Sequence, residues 1–153
     1  MKLLVTGGLG FIGSNFILKL LKESNDYEIL NIDAEFYGAD HRNLSQIKNS
    51  EKYEFIKGNI TNKKLMEEQI KKCDAVVNFA AESFVDRSIS DANPFLVSNI
   101  RGAFTILDIV TKEKKRMIQI STDEVFGSLS TGTANEDSKF NPSSPYAATK
   151  AAA

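Results

Sequence analysis

The chain has 153 residues, of which 42% are hydrophobic, 9% aromatic and 25% charged, and its 19 basic and 20 acidic side chains leave a formal net charge of -1. That composition excludes a disordered chain, suits one globular core, and offers no excess of positive charge to nucleic acid or an anionic membrane surface. No apolar run approaches the roughly 20 residues that cross a bilayer and no signal-peptide pattern opens the chain, so a cytoplasmic protein is expected. Cys73 and His41 are single examples of their kinds, which argues against a disulfide, a metal centre or a Ser/His/Asp triad.

Strand-length apolar runs alternate with helical patterns. Residues 2–6 (KLLVT) predict a first strand buried on both faces. Residues 11–23 predict a helix whose inner stripe is Ile12, Phe16 and Leu20. Further strands are predicted over 27–32, 53–57, 73–80 and 116–121, and a helix over 62–72. Asn93-Pro94 predicts a capped helix running to about 112, and Ser144-Pro145 opens a last helix after a polar loop over 127–144. Repeated strand-helix units require parallel pairing and right-handed crossovers. The fold class is therefore α/β, a Rossmann-like doubly wound parallel sheet, expected to break off after strand five and the start of the following helix. The lysines at 63, 64, 71 and 72 and the KEKKR run at 112–116 are expected on solvated helix faces.

Directly after the first strand comes T-G-G-L-G-F-I-G-S, residues 6–14. A glycine loop between strand and helix is the context of a dinucleotide site. Gly7 supplies a tight turn, Gly10 lets backbone approach a pyrophosphate, and Gly13 lets the helix pack close to the sheet. The two residues between Gly7 and Gly10 give a spacing that resembles short-chain dehydrogenases and reductases. Asp33 follows Gly13 by 20 residues, where a carboxylate accepts from a ribose 2′-hydroxyl and repels a 2′-phosphate. NAD is thus the expected cofactor. After strand three, Asn59 and Ile60 stand where an adenine contact is usual, with Asn59 replacing an acid.

Tyr146 and Lys150 lie four residues apart, on one face of the last helix. A lysine beside a phenol is expected to lower the phenol's pKa and make it a general base. Such a pair is common on helix surfaces, and gains meaning from the upstream glycine loop. Thr122 and the adjacent acids Asp123 and Glu124 follow strand five, at the carboxyl edge where open α/β sheets bind ligands.

The strings A-A-E-S-F-V-D-R-S-I (80–89), S-T-D-E-V-F-G (121–127) and P-S-S-P-Y-A-A-T-K-A-A (142–152) together resemble the dTDP-glucose 4,6-dehydratases. These are extended short-chain dehydrogenases. The resemblance implies an NAD-dependent lyase that oxidises a nucleotide sugar at C4, eliminates water across C5 and C6, and returns the hydride to C6. Tyr146 would take the C4 hydroxyl proton with Lys150 and Thr122 assisting; Glu124 would remove the C5 proton and Asp123 would protonate the leaving hydroxyl. Phe11 and Ile12 would meet the pyrophosphate, Ala80, Ala81 and Ser83 the nicotinamide side, and Ser98 the adenosine, with Ser83 and Thr122 also near the substrate. Phe84 replaces a usual histidine and Phe126 a usual tyrosine. The other readings are a 4-epimerase or decarboxylase of the same superfamily, and a non-catalytic NAD-binding module. The last follows from the expectation that residues 1–153 form an incomplete amino-terminal cofactor domain lacking the sugar-nucleotide domain. Relatives dimerise through the helix after Asn93 and the helix bearing Tyr146, which implies a homodimer for the complete enzyme.

Overall fold

The computed structural model describes residues 1–153. Five parallel strands, β1 (Lys2–Thr6), β2 (Glu28–Asp33), β3 (Tyr53–Lys57), β4 (Ala75–Asn78) and β5 (Arg116–Gln119), lie in the order β3-β2-β1-β4-β5. The order reverses beside β1, so the crevice at the carboxyl ends of β1 and β4 is the topological switch point where such sheets hold ligands.

Helices α1 (Phe11–Glu23), α2 (Lys63–Lys71), α3 (Val85–Ser90), α4 (Asn93–Phe95), α5 (Ala103–Lys112) and α6 (Pro145–Ala152) supply the outer layers. On one face Met66 and Ile70 of α2 and Ile106, Ile109 and Val110 of α5 pack on Leu4, Leu30, Ile32 and Val76. On the other, Ile17 of α1 and Leu44 of a short 3₁₀ segment (His41–Ile47) pack on Leu3, Val5 and Ile29. Burial on both faces explains why β1 and β2 read as continuous apolar runs rather than alternating ones.

Several expectations shift. In α1 the buried face is Gly13, Ser14 and Ile17, while Ile12 is 63% exposed. Gly13 abuts the Gly7 carbonyl, and this close approach rotates the helix so that its small residues face the sheet and Ile12 faces the crevice. Strand β2 reaches Asp33, one residue further than expected, and β4 is shorter, covering only 75–78. Helix α4 is capped at Ala92 without a side-chain bond, so Asn93 does not serve as its cap. A π-helical segment, Leu96–Gly102, separates α4 from α5. Three short elements have no counterpart in the predicted pattern: the 3₁₀ segment His41–Ile47, α3, and a 3₁₀ turn over Asp123–Phe126. The Ser144 cap on α6 stands, with the serine side chain accepting from Ala147 N.

The lysine-rich faces are exposed and lightly paired, for instance Lys63 and Lys112 with Asp108 at 3.3 and 2.7 Å. No helix is long and apolar enough to cross a membrane. Cys73 packs in the core just before β4 at 1% exposure, and burial pushes its thiol up to about 11. The thiolate is the reactive form. At mildly alkaline pH a thiol reagent should therefore modify the denatured chain rapidly and the native chain only as fast as it unfolds. Rapid labelling of the native chain would place Cys73 at the surface.

Candidate active site

The crevice at the switch point forms a cleft of about 390 Å³. Its floor is the glycine loop. Gly7 has φ +70°, a left-handed backbone, and a Cβ there would sit 2.5 Å from Ala80 N. Loop and β4 are therefore in backbone contact, which only glycine permits. Gly10 caps α1 without a side-chain bond, and no acidic residue occupies the first turn. The first N–H groups of α1, at Phe11, Ile12 and Gly13, lack helical acceptors and line the cleft, with the positive end of the helix dipole behind them. A pyrophosphate fits this cradle.

Asp33 closes one wall. Its two carboxylate oxygens accept from Leu9 N at 3.0 Å and Glu35 N at 2.9 Å, which fixes the group at the end of β2, 8% exposed. Gly58, Asn59 and Ile60 continue this wall. The Asn59 side-chain oxygen accepts from both Thr61 N and Thr61 Oγ1 at 2.9 Å. A backbone N–H can only donate, so the oxygen faces Thr61 and the amide N–H groups remain for the cleft. Asn59 therefore offers a donor where the usual acid offers an acceptor.

The opposite wall is Ala80, Ala81, Glu82, Ser83 and Phe84, with Ser98 from the π-helical segment. The Phe84 ring meets Tyr37 edge-on, centroids 4.9 Å apart, and the Arg87 guanidinium lies 4.5 Å from the Tyr37 ring centre. Phe84 thus joins an aromatic contact across the cleft, a role that its replacement of histidine alone did not indicate. Ala34, Phe36, Tyr37 and Gly38 also line the cleft and were not anticipated. Their signal was the Tyr-Gly step following Asp33.

Tyr146 and Lys150 rise into the cleft from α6, 8% and 7% exposed. The expected lowering of the phenol by the lysine is absent. Lys150 Nζ donates instead to the Ile120 carbonyl at 2.5 Å. Burial pushes the Tyr146 phenol up, with Asp123 and Glu124 adding to the rise and the Thr122 hydroxyl opposing it, and burial pulls the Lys150 ammonium down. Both groups are biased toward their neutral forms.

Thr122, Asp123 and Glu124 stand at the rim and do not line the main cleft. Thr122 caps the 3₁₀ turn, its hydroxyl accepting from Glu124 N and donating to Asp123 Oδ1, both at 3.3 Å. Asp123 and Glu124 are exposed to solvent. The structure thus gathers every residue expected around the cofactor into one cleft and sets the acid pair beside Tyr146 at its edge. This arrangement can hold a dinucleotide and present a phenol, an amine and two carboxylates to a substrate at the carboxyl end of β5.

Known proteins agree with this layout. The family model for GDP-mannose 4,6 dehydratase matches residues 4–153. The low-salt glycan biosynthesis protein Agl12 of Haloferax volcanii is 44% identical over 154 residues, which cover 100% of this chain and 49% of that protein. A dTDP-glucose 4,6-dehydratase of Mycolicibacterium smegmatis is 42% identical, with 100% of this chain and 46% of its own length covered. Among solved structures, the dTDP-glucose 4,6-dehydratase DesIV of Streptomyces venezuelae, crystallised with NAD bound, superposes with a TM-score of 0.95 at 39% identity, covering 99% of this chain and 49% of that one. The chain spans about half the length of these relatives. By its sheet order, its glycine cradle and a match running through nearly all of its residues, the chain belongs to the GDP-mannose 4,6 dehydratase family.

Proposed function

We propose that this chain provides the NAD site and the redox and elimination groups of a nucleoside-diphosphate-hexose 4,6-dehydratase, acting on dTDP-glucose. The observation that carries the reading is the juxtaposition of Tyr146 and Lys150 with Asp123 and Glu124 at the mouth of the cleft. A 4-epimerase or decarboxylase shares the first pair and generally lacks the second.

NAD would lie with its pyrophosphate on the N–H groups of Phe11, Ile12 and Gly13, its adenosine ribose on Asp33, its adenine by Asn59, Ile60 and Ser98, and its nicotinamide by Ala80, Ala81 and Ser83. When bound it supplies an acceptor that takes a hydride from the sugar and gives it back. Thr122 and Ser83 orient the sugar, and Thr122 holds the C4 hydroxyl for Tyr146, which takes its proton. Burial favours the neutral phenol, so the Lys150 ammonium, which keeps N–H donors beyond the one given to the Ile120 carbonyl, must favour phenolate before Tyr146 can act, the phenol's own proton passing to solvent at the cleft mouth. The C4 ketone acidifies C5; Glu124 removes that proton and Asp123 delivers one to the departing C6 hydroxyl, which leaves as water, and Glu124 returns its proton to C5 as C6 is reduced. A base and an acid at neighbouring carbons are what this elimination needs.

In the complete enzyme the exposed stripe of Leu96, Val97, Phe104 and Leu107 supports homodimer formation through the segment after Asn93. The single buried cysteine is in keeping with a cytoplasmic setting.

Asp33→Ala should weaken NAD at least about 10-fold, the value of one good hydrogen bond to a charged group, and narrow the preference over NADP. Titration calorimetry with both cofactors measures this; an unchanged NAD to NADP ratio would remove Asp33 from the ribose.

The activity is tested by incubating the chain, alone and joined to the carboxyl-terminal half of the Mycolicibacterium smegmatis enzyme, with NAD and dTDP-glucose. The alkaline absorbance of a 4-keto-6-deoxy sugar reports product. Product from the joined protein supports the reading, and product from it but not from the chain alone assigns this chain the module role. Absence of product from the joined protein with dTDP-glucose, GDP-mannose and UDP-glucose overturns it.

A further inference from the structure

The first N–H groups of a helix have no partners within it, and where they are buried each needs one from outside. In α6 the accounting is complete. Pro145 has no N–H, Ala147 N donates to Ser144 Oγ at 3.0 Å, and Ala148 N donates to Ser144 O at 2.9 Å. The remaining donor is Tyr146 N. It donates, at 3.1 Å, to Ser88 Oγ on α3, a residue 58 positions away and 1% exposed. The Ser88 hydroxyl spends its own proton on Val85 O at 2.6 Å, which leaves a lone pair for Tyr146.

We infer that Ser88 is a positioning residue for Tyr146, a cap supplied by another helix that registers the phenol against the nicotinamide wall. Helix α3 follows that wall directly, since Phe84 is both its cap residue and part of the cleft lining. Anything that moves Ala80–Phe84 is therefore transmitted to the backbone of Tyr146. A second tie runs parallel: Asn99 Nδ2 donates to Glu82 O at 2.9 Å and to Thr149 Oγ1 at 3.0 Å, and Thr149 Oγ1 donates to Tyr146 O at 2.7 Å. Asn99 and Thr149 are 2% and 3% exposed, so this tie holds the body of α6 at Thr149 when Ser88 is changed, while the backbone N–H at its N terminus loses its partner. Ser88 governs where the phenol sits, while the second tie governs whether the helix docks.

The inference rests on Tyr146 being the base, and the test separates the two. Phenol ionisation is followed by absorbance in the chain, with Tyr146→Phe as the reference that isolates Tyr146 from the other tyrosines. In Ser88→Ala the N terminus of α6 loosens, the phenol gains solvent, and its titration should move down toward the ordinary tyrosine value. NAD affinity should stay within about twofold, and kcat in the joined protein should fall about tenfold with little change in KM, as expected when positioning rather than binding is lost. Ser88→Thr, which keeps the hydroxyl, should restore the titration. A Tyr146 titration unchanged in Ser88→Ala, with only a lower melting temperature, overturns the proposal. Should the alanine variant not fold, Ser88→Cys, nearly isosteric but a weaker acceptor, gives the same reading, and an unshifted titration there is equally decisive. If Tyr146→Phe turns over normally the base assignment fails, while the titration still decides whether Ser88 places the ring.

Discussion

Gly7→Ala is expected to abolish NAD binding and to destabilise the fold by about 3 kcal/mol or more. A left-handed backbone costs an L side chain roughly 1–2 kcal/mol by itself. At Gly7 the added Cβ also meets Ala80 N at 2.5 Å and Phe79 C at 2.8 Å, backbone atoms that cannot yield without displacing the end of β4 and the wall that follows it. A loss of that size is a large fraction of the 5–15 kcal/mol typical of whole domains. Gly132→Ala provides the control. Gly132 also has positive φ, +78°, but nothing lies within 4 Å of its Cβ position, so only the torsional cost of roughly 1–2 kcal/mol applies and NAD binding should be unchanged. Denaturant unfolding and calorimetric titration of both variants measure the contrast. Equal NAD affinity in Gly7→Ala and the parent chain would show that the glycine loop does not hold the cofactor.

The second large effect concerns the acid pair. Asp123→Asn combined with Glu124→Gln in the joined protein should leave NAD affinity within about twofold, because neither residue lines the main cleft. Dehydration should fall by roughly 10²–10⁴, the usual worth of positioned proton transfer. Both residues are exposed, so neither the fold nor its stability depends on burying their charge. Turnover within a few-fold of the parent would make the carboxylates solvated residues of the 3₁₀ turn and nothing more.

What could be read from the residues follows a physical pattern. The cofactor cleft was legible because backbone contact dictates it: Gly7 must clear Ala80, Gly13 must clear the Gly7 carbonyl, and Asp33 must end the neighbouring strand. Helix α6 was legible because Ser144 and Pro145 are chemically committed to starting a helix. Features that depend on long-range packing were not. Helix α3, with the sequence VDRSIS, has β-branched and serine residues of weak helical propensity and no side-chain cap; its shape is imposed by docking against α6. In α1 the four-residue spacing places Phe16 and Leu20 against the core as expected, whereas Ile12 turns to the crevice because Gly13 and Ser14, small residues to which an apolar pattern gives no weight, meet the sheet. The orientation of Lys150 toward Ile120 rather than Tyr146 depends on a carbonyl 30 residues away, which helix periodicity does not encode. That Asn59 stands in place of an acid is legible in the residues, but the commitment of its oxygen to Thr61 depends on the folded loop.

The internal return of hydride is tested by supplying the joined protein with dTDP-glucose carrying deuterium at C4 and locating the label in the product by mass spectrometry and NMR. The cleft proposed here keeps NAD bound between Asp33 and the Ala80–Ser83 wall throughout the cycle, so the deuterium should appear at C6 of the 4-keto-6-deoxy product. A 4-keto-6-deoxy product whose C6 carries only hydrogen from solvent, or a C4-epimerised sugar that keeps deuterium at C4 in place of the ketone, would contradict the account.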